Sequence, residues 1–323
     1  MVEIVCLGEV LIDFVSLESG VSLVEAPSFK KAAGGAPANV AVGLARLGHS
    51  VGFIGKVGQE SFGDFLIKTL ADNQVDVSGI ARDPNARTML AFVSLAADGE
   101  REFMFYRHPS ADMTLTPEEI PDDLIANARL FHYGSISLIS EPCRSATLHA
   151  LTIAKENGVL TSYDPNLRLN LWESEDMARR EMLEGMRFAD VVKINEDELH
   201  FLTGSRTFEE GAKALMQYGV SLLIVTMGEK GCCFYSDSAQ GMVPGKVVQA
   251  VDTTGAGDSF VAALLSGLLG RNTLDRPFTD QDASTLEEIC RYANAAGALT
   301  SLERGAIPSL PTGKQIQAFL ERS

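Results

Sequence analysis

Six short runs that are apolar on both faces alternate along this chain with segments whose apolar residues recur at helical spacing. The runs are Ile4–Leu7, Val51–Val57, Leu130–Tyr133, Val159–Tyr163, Val191–Ile194 and Leu222–Thr226. Between them lie Ala38–Leu47, Phe62–Asn73, Pro142–Asn157, Glu175–Phe188 and Phe208–Tyr218. A strand with no polar face needs cover above and below, and intervening amphipathic helices supply it. The pattern therefore predicts an α/β fold, a doubly wound, mainly parallel sheet with helices on both faces. The last third reads as helices over Ala256–Leu269, Ser284–Leu302 and Thr312–Arg322, preceded by strands at Gly231–Tyr235 and Lys246–Ala250.

Two stretches break the rhythm. Phe14–Lys31 and Arg87–Arg107 alternate with period two, through Met89, Ala91, Val93 and Leu95 and later Phe103 and Phe105, without helices between. The Asp98-Gly99 pair falls where a hairpin turn belongs. These stretches predict a small β-sheet, either a lid over the main body or an extension of its edge. No repeat or long linker divides the 323 residues.

Charge narrows the function classes. Lys and Arg total 27 against 43 Asp and Glu, a formal charge of -16. With no basic run to offset that field, nucleic acid and anionic lipid surfaces are poor partners. An anionic ligand must instead be held by placed cations, backbone N–H groups and a metal. Cys6, Cys143, Cys232, Cys233 and Cys290 show no zinc spacing or disulfide framework and read as reduced thiols in a cytoplasmic core. No segment is apolar for the roughly 18–20 residues a membrane helix needs.

The strongest local signal is Asp252-Thr253-Thr254-Gly255-Ala256-Gly257-Asp258, with the apolar helical positions Val261, Leu264, Leu265 and Leu268 following. Gly255, Ala256 and Gly257 thus fall at a helix N-terminus, where unpaired N–H groups and the helix dipole favour a phosphate. Asp258 is out of place in a phosphate turn unless it accepts the proton of an attacking hydroxyl, with its pKa kept low by the dipole. Equally, acids are favoured in any first helical turn. A second glycine turn, Gly34-Gly35, precedes Pro37 and Asn39, with Pro37 suited to the first turn of a helix. Asp13, read as the end of the first strand, and Asn39 either meet in the crevice at the strands' carboxyl ends and bind sugar hydroxyls or are ordinary cap and turn residues. Arg168 in Asp164-Pro165-Asn166-Leu167-Arg168 suits a phosphate. Asn195 and Glu198, three apart on one helical face, suit a hydrated magnesium or are simply part of a solvated acidic face. Thr226 to Gly231 would admit a nucleotide edge or form an ordinary turn.

In this order the motifs resemble the PfkB (ribokinase-like) carbohydrate kinases from Gly8 to about Pro311, and Arg101–Arg107, Pro109–Asp112 and Asp164–Arg168 with Trp172 look like fructokinases. The resemblance implies a single kinase domain over residues 1–323 with a lid at about 14–33 and 87–108, and a homodimer formed through that lid. It implies ATP as phosphoryl donor, Mg2+ and K+ as cofactors, and fructose phosphorylated at its primary 6-hydroxyl. Asp258 would be the base and Gly255, Ala256 and Gly257 the anion hole. Asp13, Gly34, Gly35, Asn39 and Arg107 would contact the sugar, and Arg168 would bridge sugar and phosphate. Asn195 and, through water, Glu198 would serve phosphates and magnesium. Thr226, Gly228, Gly231 and Asn294 would surround the nucleotide, and Asp252, Thr254, Gly305 and Ser309 would ligate the monovalent cation. A 2-keto-3-deoxygluconate kinase is the alternative within the family, with Arg107 or Arg168 meeting the substrate carboxylate; ribose or another furanose comes third. A non-catalytic sugar or nucleotide sensor is the alternative outside it, although a sensor has no need of a base.

Overall fold

The computed structural model describes residues 1–95, 101–270 and 282–322. Thirteen strands form two sheets among them. In chain order they are β1 (Ile4–Leu7), β2 (Leu11–Ser19), β3 (Phe29–Gly34), β4 (Val51–Gly58), β5 (Val75–Asp83), β6 (Leu90–Leu95) and β7 (Arg101–Tyr106). They continue as β8 (Leu130–Gly134), β9 (Leu160–Asp164), β10 (Val191–Asn195), β11 (Leu222–Thr226), β12 (Gly231–Ser236) and β13 (Gln240–Pro244). The large sheet has the order β13-β12-β11-β10-β9-β8-β1-β4-β5. Its pairings are parallel except along β11-β12-β13.

Both faces are buried, as the apolar runs require. Along β1, Ile4 and Cys6 join one apolar cluster while Val5 and Leu7 join the other. The first cluster is closed by the helices Ala36–Arg46, Ala256–Gly270 and Ala283–Thr300, the second by Cys143–Glu156 and Glu175–Met186. Fully burying one such aliphatic side chain stabilises by about 1.5–3 kcal/mol, and β1 contributes Ile4 and Leu7 with no measurable exposure. Among the described residues no helix is long and apolar enough to cross a membrane.

The small sheet is separate, ordered β3-β2-β6-β7, and so is not an extension of the main sheet's edge. β2 pairs β3 antiparallel and β6 parallel, stitching together two distant excursions of the chain. Phe14, Phe29, Phe92 and Tyr106 stack and abut across it. The expected turn at Asp98-Gly99 lies outside the described residues.

Two expectations are corrected, and one strand was not foreseen. Asp13 does not end the first strand; it lies inside β2 of the small sheet, paired with Ala32 and Ala91. The strand expected at Lys246–Ala250 sits earlier, as β13 at Gln240–Pro244. There Gly241 admits the Phe234 ring, and beyond Pro244 the side chains of Val247 and Val251 are exposed and belong to no strand. β5 has no counterpart in the sequence reading, because Gly79 and a register shift between Gly52 and Ile54 blur its alternation.

Candidate active site

Two helices carry the centre of the site. Asn39 lies in the first turns of the helix Ala36–Arg46, and Asp258 in the first turn of Ala256–Gly270. Asn39 Nδ2 donates to Asp258 Oδ2 at 2.8 Å, in buried surroundings. The helices approach closely enough that, one turn further on, a Cβ at Gly43 would lie 2.7 Å from the Ala262 methyl. That glycine lets the polar pair form.

Asp258 does not have the low pKa expected from its helix position. Burial raises it to about 6, with Asp164 adding to the rise, while the Asn39 hydrogen bond, Lys193 and Arg168 oppose it. Desolvation outweighs the dipole because the carboxyl is only 9% exposed. A carboxylate with that pKa is ionised at neutral pH and still a competent proton acceptor.

Gly255, at φ 79°, is in the left-handed region glycine favours, and a Cβ there would sit 2.9 Å from Ala306 Cα. The turn is therefore pressed against the start of the short helix Ala306–Ser309. Ala256 N donates back to Thr253 O at 3.2 Å. The amides of Gly257 and Asp258 stand in the first helical turn, where no carbonyl a turn earlier within the helix receives them. Lys193 Nζ lies beneath this turn, 3.3 Å from where a Gly257 Cβ would be.

Lys193 is the residue that sequence reading missed. It is buried in β10 and donates to Asp164 Oδ2 at 3.1 Å, at the end of neighbouring β9. Burial pulls its pKa down, but Asp164, Glu198 and Asp258 together hold it above the usual lysine value. A lone lysine inside an apolar run covered on both sides is the signal that was available, since such a charge needs a buried partner. Glu198 and Asn195 form a capping box: Glu198 N donates to Asn195 Oδ1 at 2.8 Å, and Asn195 N to Glu198 Oε2 at 2.9 Å. Glu198 Oε1 also accepts from Leu167 N at 2.7 Å, and burial raises its pKa. This acid is buried, unlike the solvated face that its neighbours suggested.

The cluster thus sets Asp164, Glu198 and Asp258 against Lys193, with Arg168 near enough to lower the Asp258 pKa. Asp164 Oδ1 and Asn39 Oδ1 are buried without a hydrogen-bond partner, and both suit an incoming cation or donor. Among the described residues no three His, Cys, Asp or Glu side chains form a metal cage. A divalent ion here would keep waters and bind largely through phosphate oxygens, with Asp164 and Glu198 behind it.

The remaining candidates fall into three groups. Asp13 carries its carboxylate against Gly34, where a Cβ would collide with Oδ2. Arg107 is only 2% exposed, donating from Nε to Asp112 at 2.8 Å and from Nη2 to Ile136 O at 3.1 Å. Arg168 donates to Leu167 O and lies over the Phe103 ring of the small sheet. At the other end, Thr226 pairs with Asn195 across β10 and β11, and Gly228 and Gly231 both have positive φ. A Cβ at Gly231 would strike Val243 O, and Asn294 Nδ2 donates to Val243 O and Pro244 O, so these two meet at β13. Finally, Asp252 Oδ1 accepts from Thr254 N and Oγ1, Oδ2 accepts from Gly305 N at 2.9 Å, and Ser309 Oγ donates to Gly305 O. All four residues of the expected monovalent-cation site come together.

Comparison with known proteins gives this arrangement a context. The chain is 54% identical to fructokinase-1 of Oryza sativa subsp. japonica over 319 residues, covering 98% of this chain and 97% of that protein. The ATP-bound crystal structure of a fructokinase from Xylella fastidiosa superposes with a TM-score of 0.89 at 34% identity, covering 99% of this chain and 98% of that one. A Vibrio cholerae O395 fructokinase with fructose, ADP and calcium bound gives 0.85 at 35% identity, covering 99% of each chain. Residues 1–313 match the pfkB family of carbohydrate kinases, and the chain belongs to that family of sugar phosphotransferases.

Proposed function

We propose that the protein is a fructokinase that transfers the γ-phosphoryl group of ATP to the primary 6-hydroxyl of fructose. The observation that carries this reading is a buried carboxylate, Asp258, in the first turn of the helix that follows the glycine turn and held there by the Asn39 side chain. In the reaction Asp258 accepts the hydroxyl proton as the new O–P bond forms, and the γ-phosphorus–oxygen bond to ADP breaks. Phosphoryl transfer proceeds through a loose transition state, so Asp258 chiefly orients the alcohol and takes its proton late. Asn39 holds the carboxylate while its own Oδ1 faces the sugar, and Asp13, Gly34, Gly35 and Arg107 complete that side. The Gly255–Gly257 turn, Lys193 and Arg168 balance the charge of the migrating group. Thr226, Gly228, Gly231 and Asn294 frame the nucleotide, with Asn195 toward its phosphates. A magnesium ion held through water by Glu198 and Asp164 would neutralise phosphate charge when bound. A potassium ion at Asp252, Thr254, Gly305 and Ser309 would brace the anion turn.

Fructose is favoured over an acidic sugar because Arg107, the buried cation on the sugar side, is already paired with Asp112, and Arg168 is assigned to the migrating phosphoryl group. A side-by-side coupled ADP assay tests this: fructose should be turned over much faster than 2-keto-3-deoxygluconate or ribose. The reverse preference would overturn the substrate, and exchanging potassium for tetramethylammonium without loss of rate would remove the monovalent site. The five reduced, buried cysteines fit a cytoplasmic enzyme. Leu17, Met104 and Tyr106 leave apolar surface exposed on the small sheet, which supports its role as a lid that also pairs with a second copy. Light scattering should return about twice the 34.7 kDa chain mass; the mass of a single chain would exclude the dimer.

A further inference from the structure

Glu9 sits where the two sheets are joined. Residues 8–10 carry the chain from β1 into β2, and residue 35 carries it from β3 into the helix Ala36–Arg46. These crossings lie side by side, since Leu11 pairs with Gly34. That helix lacks a side-chain cap, because its N-cap is Gly35. Its first amide is met instead from 27 residues away: Ala36 N donates to Glu9 Oε1 at 3.1 Å. The Glu9 backbone carbonyl also lies so close to Gly35 that no Cβ would fit between them.

The other carboxyl oxygen, Oε2, is buried without a hydrogen-bond partner. Glu9 is 4% exposed and lines a cavity of about 10 Å³ together with Lys56, Asp112, Ser137 and Cys143. The charged groups around it are already committed. Arg107 is paired with Asp112, and Lys56 with Glu119 and Asp83. Burial raises the Glu9 carboxyl to about 7; Asp112 adds to the rise and Arg107 opposes it, and Cys143, facing it from its own helix, is itself pushed up by burial.

We propose that Glu9 is a positioning residue for the sugar site: its carboxyl caps the Asn39-bearing helix from the far side of the crossing, clasping both connections to the small sheet and fixing the Gly34-Gly35 turn. The proposal rests on the fructokinase reading. It explains a buried acid that no step of phosphoryl transfer uses. The clasp lies away from the nucleotide, because the nucleotide candidates stand on β11, β12, the turn between them and the helix Ala283–Thr300.

The experiment compares wild type, Glu9→Ala and Glu9→Gln in steady-state kinetics with fructose and ATP varied separately, alongside amide exchange of Ala36. Glu9→Ala should raise the fructose KM about tenfold, the scale of one buried hydrogen bond, and leave the ATP KM within about twofold. Glu9→Gln keeps an acceptor oxygen for Ala36 N and should return the fructose KM to near the wild-type value. The wild-type fructose KM should rise as pH passes upward through about 7 and a buried charge forms beside Asp112, while Glu9→Gln stays flat. An unchanged fructose KM in Glu9→Ala, an equal rise in both KM values, or a Gln variant as impaired as Ala would overturn the clasp. Should Glu9→Ala not fold, the pH profile of Glu9→Gln decides: a wild-type-like step overturns the proposal. Ala36 exchange should be faster in Glu9→Ala whatever the substrate. Inactivity of the wild type on fructose would sink the fructokinase reading, while unchanged exchange would sink the clasp.

Discussion

Asp258→Asn should lower kcat by about 10²–10⁴-fold, the range lost with a general base, while nucleotide binding and folding persist. The amide keeps the shape of the carboxyl group but cannot take the hydroxyl proton. The Asn39 contact survives because Asn39 donates and the new side chain still offers an oxygen. In wild type the same group sets an acid limb. With its pKa raised to about 6 by burial, Asp258 is protonated and idle below that pH, so kcat should fall as pH drops through about 6 and stay level above it. The variant should lose that limb along with its rate. Near-wild-type kcat in Asp258→Asn would refute the role.

Lys193→Met should do more damage to the fold than any surface change. Removing one partner of a buried ion pair strands the other, at a cost of about 3–5 kcal/mol. Here the stranded group is Asp164, with Glu198 and Asp258 nearby to repel it. Denaturant melts would show the loss; a change below about 1 kcal/mol would mean that Asp164 had found another partner or a proton. In whatever folds, the acid limb from Asp258 should move above pH 6, because Lys193 is one of the charges that hold its pKa down. An unmoved limb would separate Lys193 from the catalytic centre.

How much of this was legible in the sequence depended on how local the cause was. The buried strands were legible because burial on both faces leaves a continuous apolar run, as in Ile4–Leu7 and Leu222–Thr226. The Gly255–Asp258 turn was legible because helix-start chemistry lies within a few consecutive residues. The Asn39–Asp258 contact spans 219 residues, and nothing local to either residue announces the other. Lys193 and Asp164, 29 apart, become a pair only because β9 and β10 lie adjacent. The Asp258 pKa was misjudged for the same reason: the dipole belongs to its own helix, whereas the desolvation comes from everything packed around it. Glu9 caps a helix it does not belong to, so a search for a capping residue beside Gly35 finds none.

The close crossing at Gly43 ties two requirements together. The hydrogen atom that lets two greasy cylinders touch also sets the distance between the amide and the acid one turn away. A methyl group at position 43 would wedge those cylinders apart and stretch a polar contact it never meets. Tight packing and reactivity are thus a single adjustable quantity here, and a substitution inside this oily seam acts as if it lined the catalytic centre.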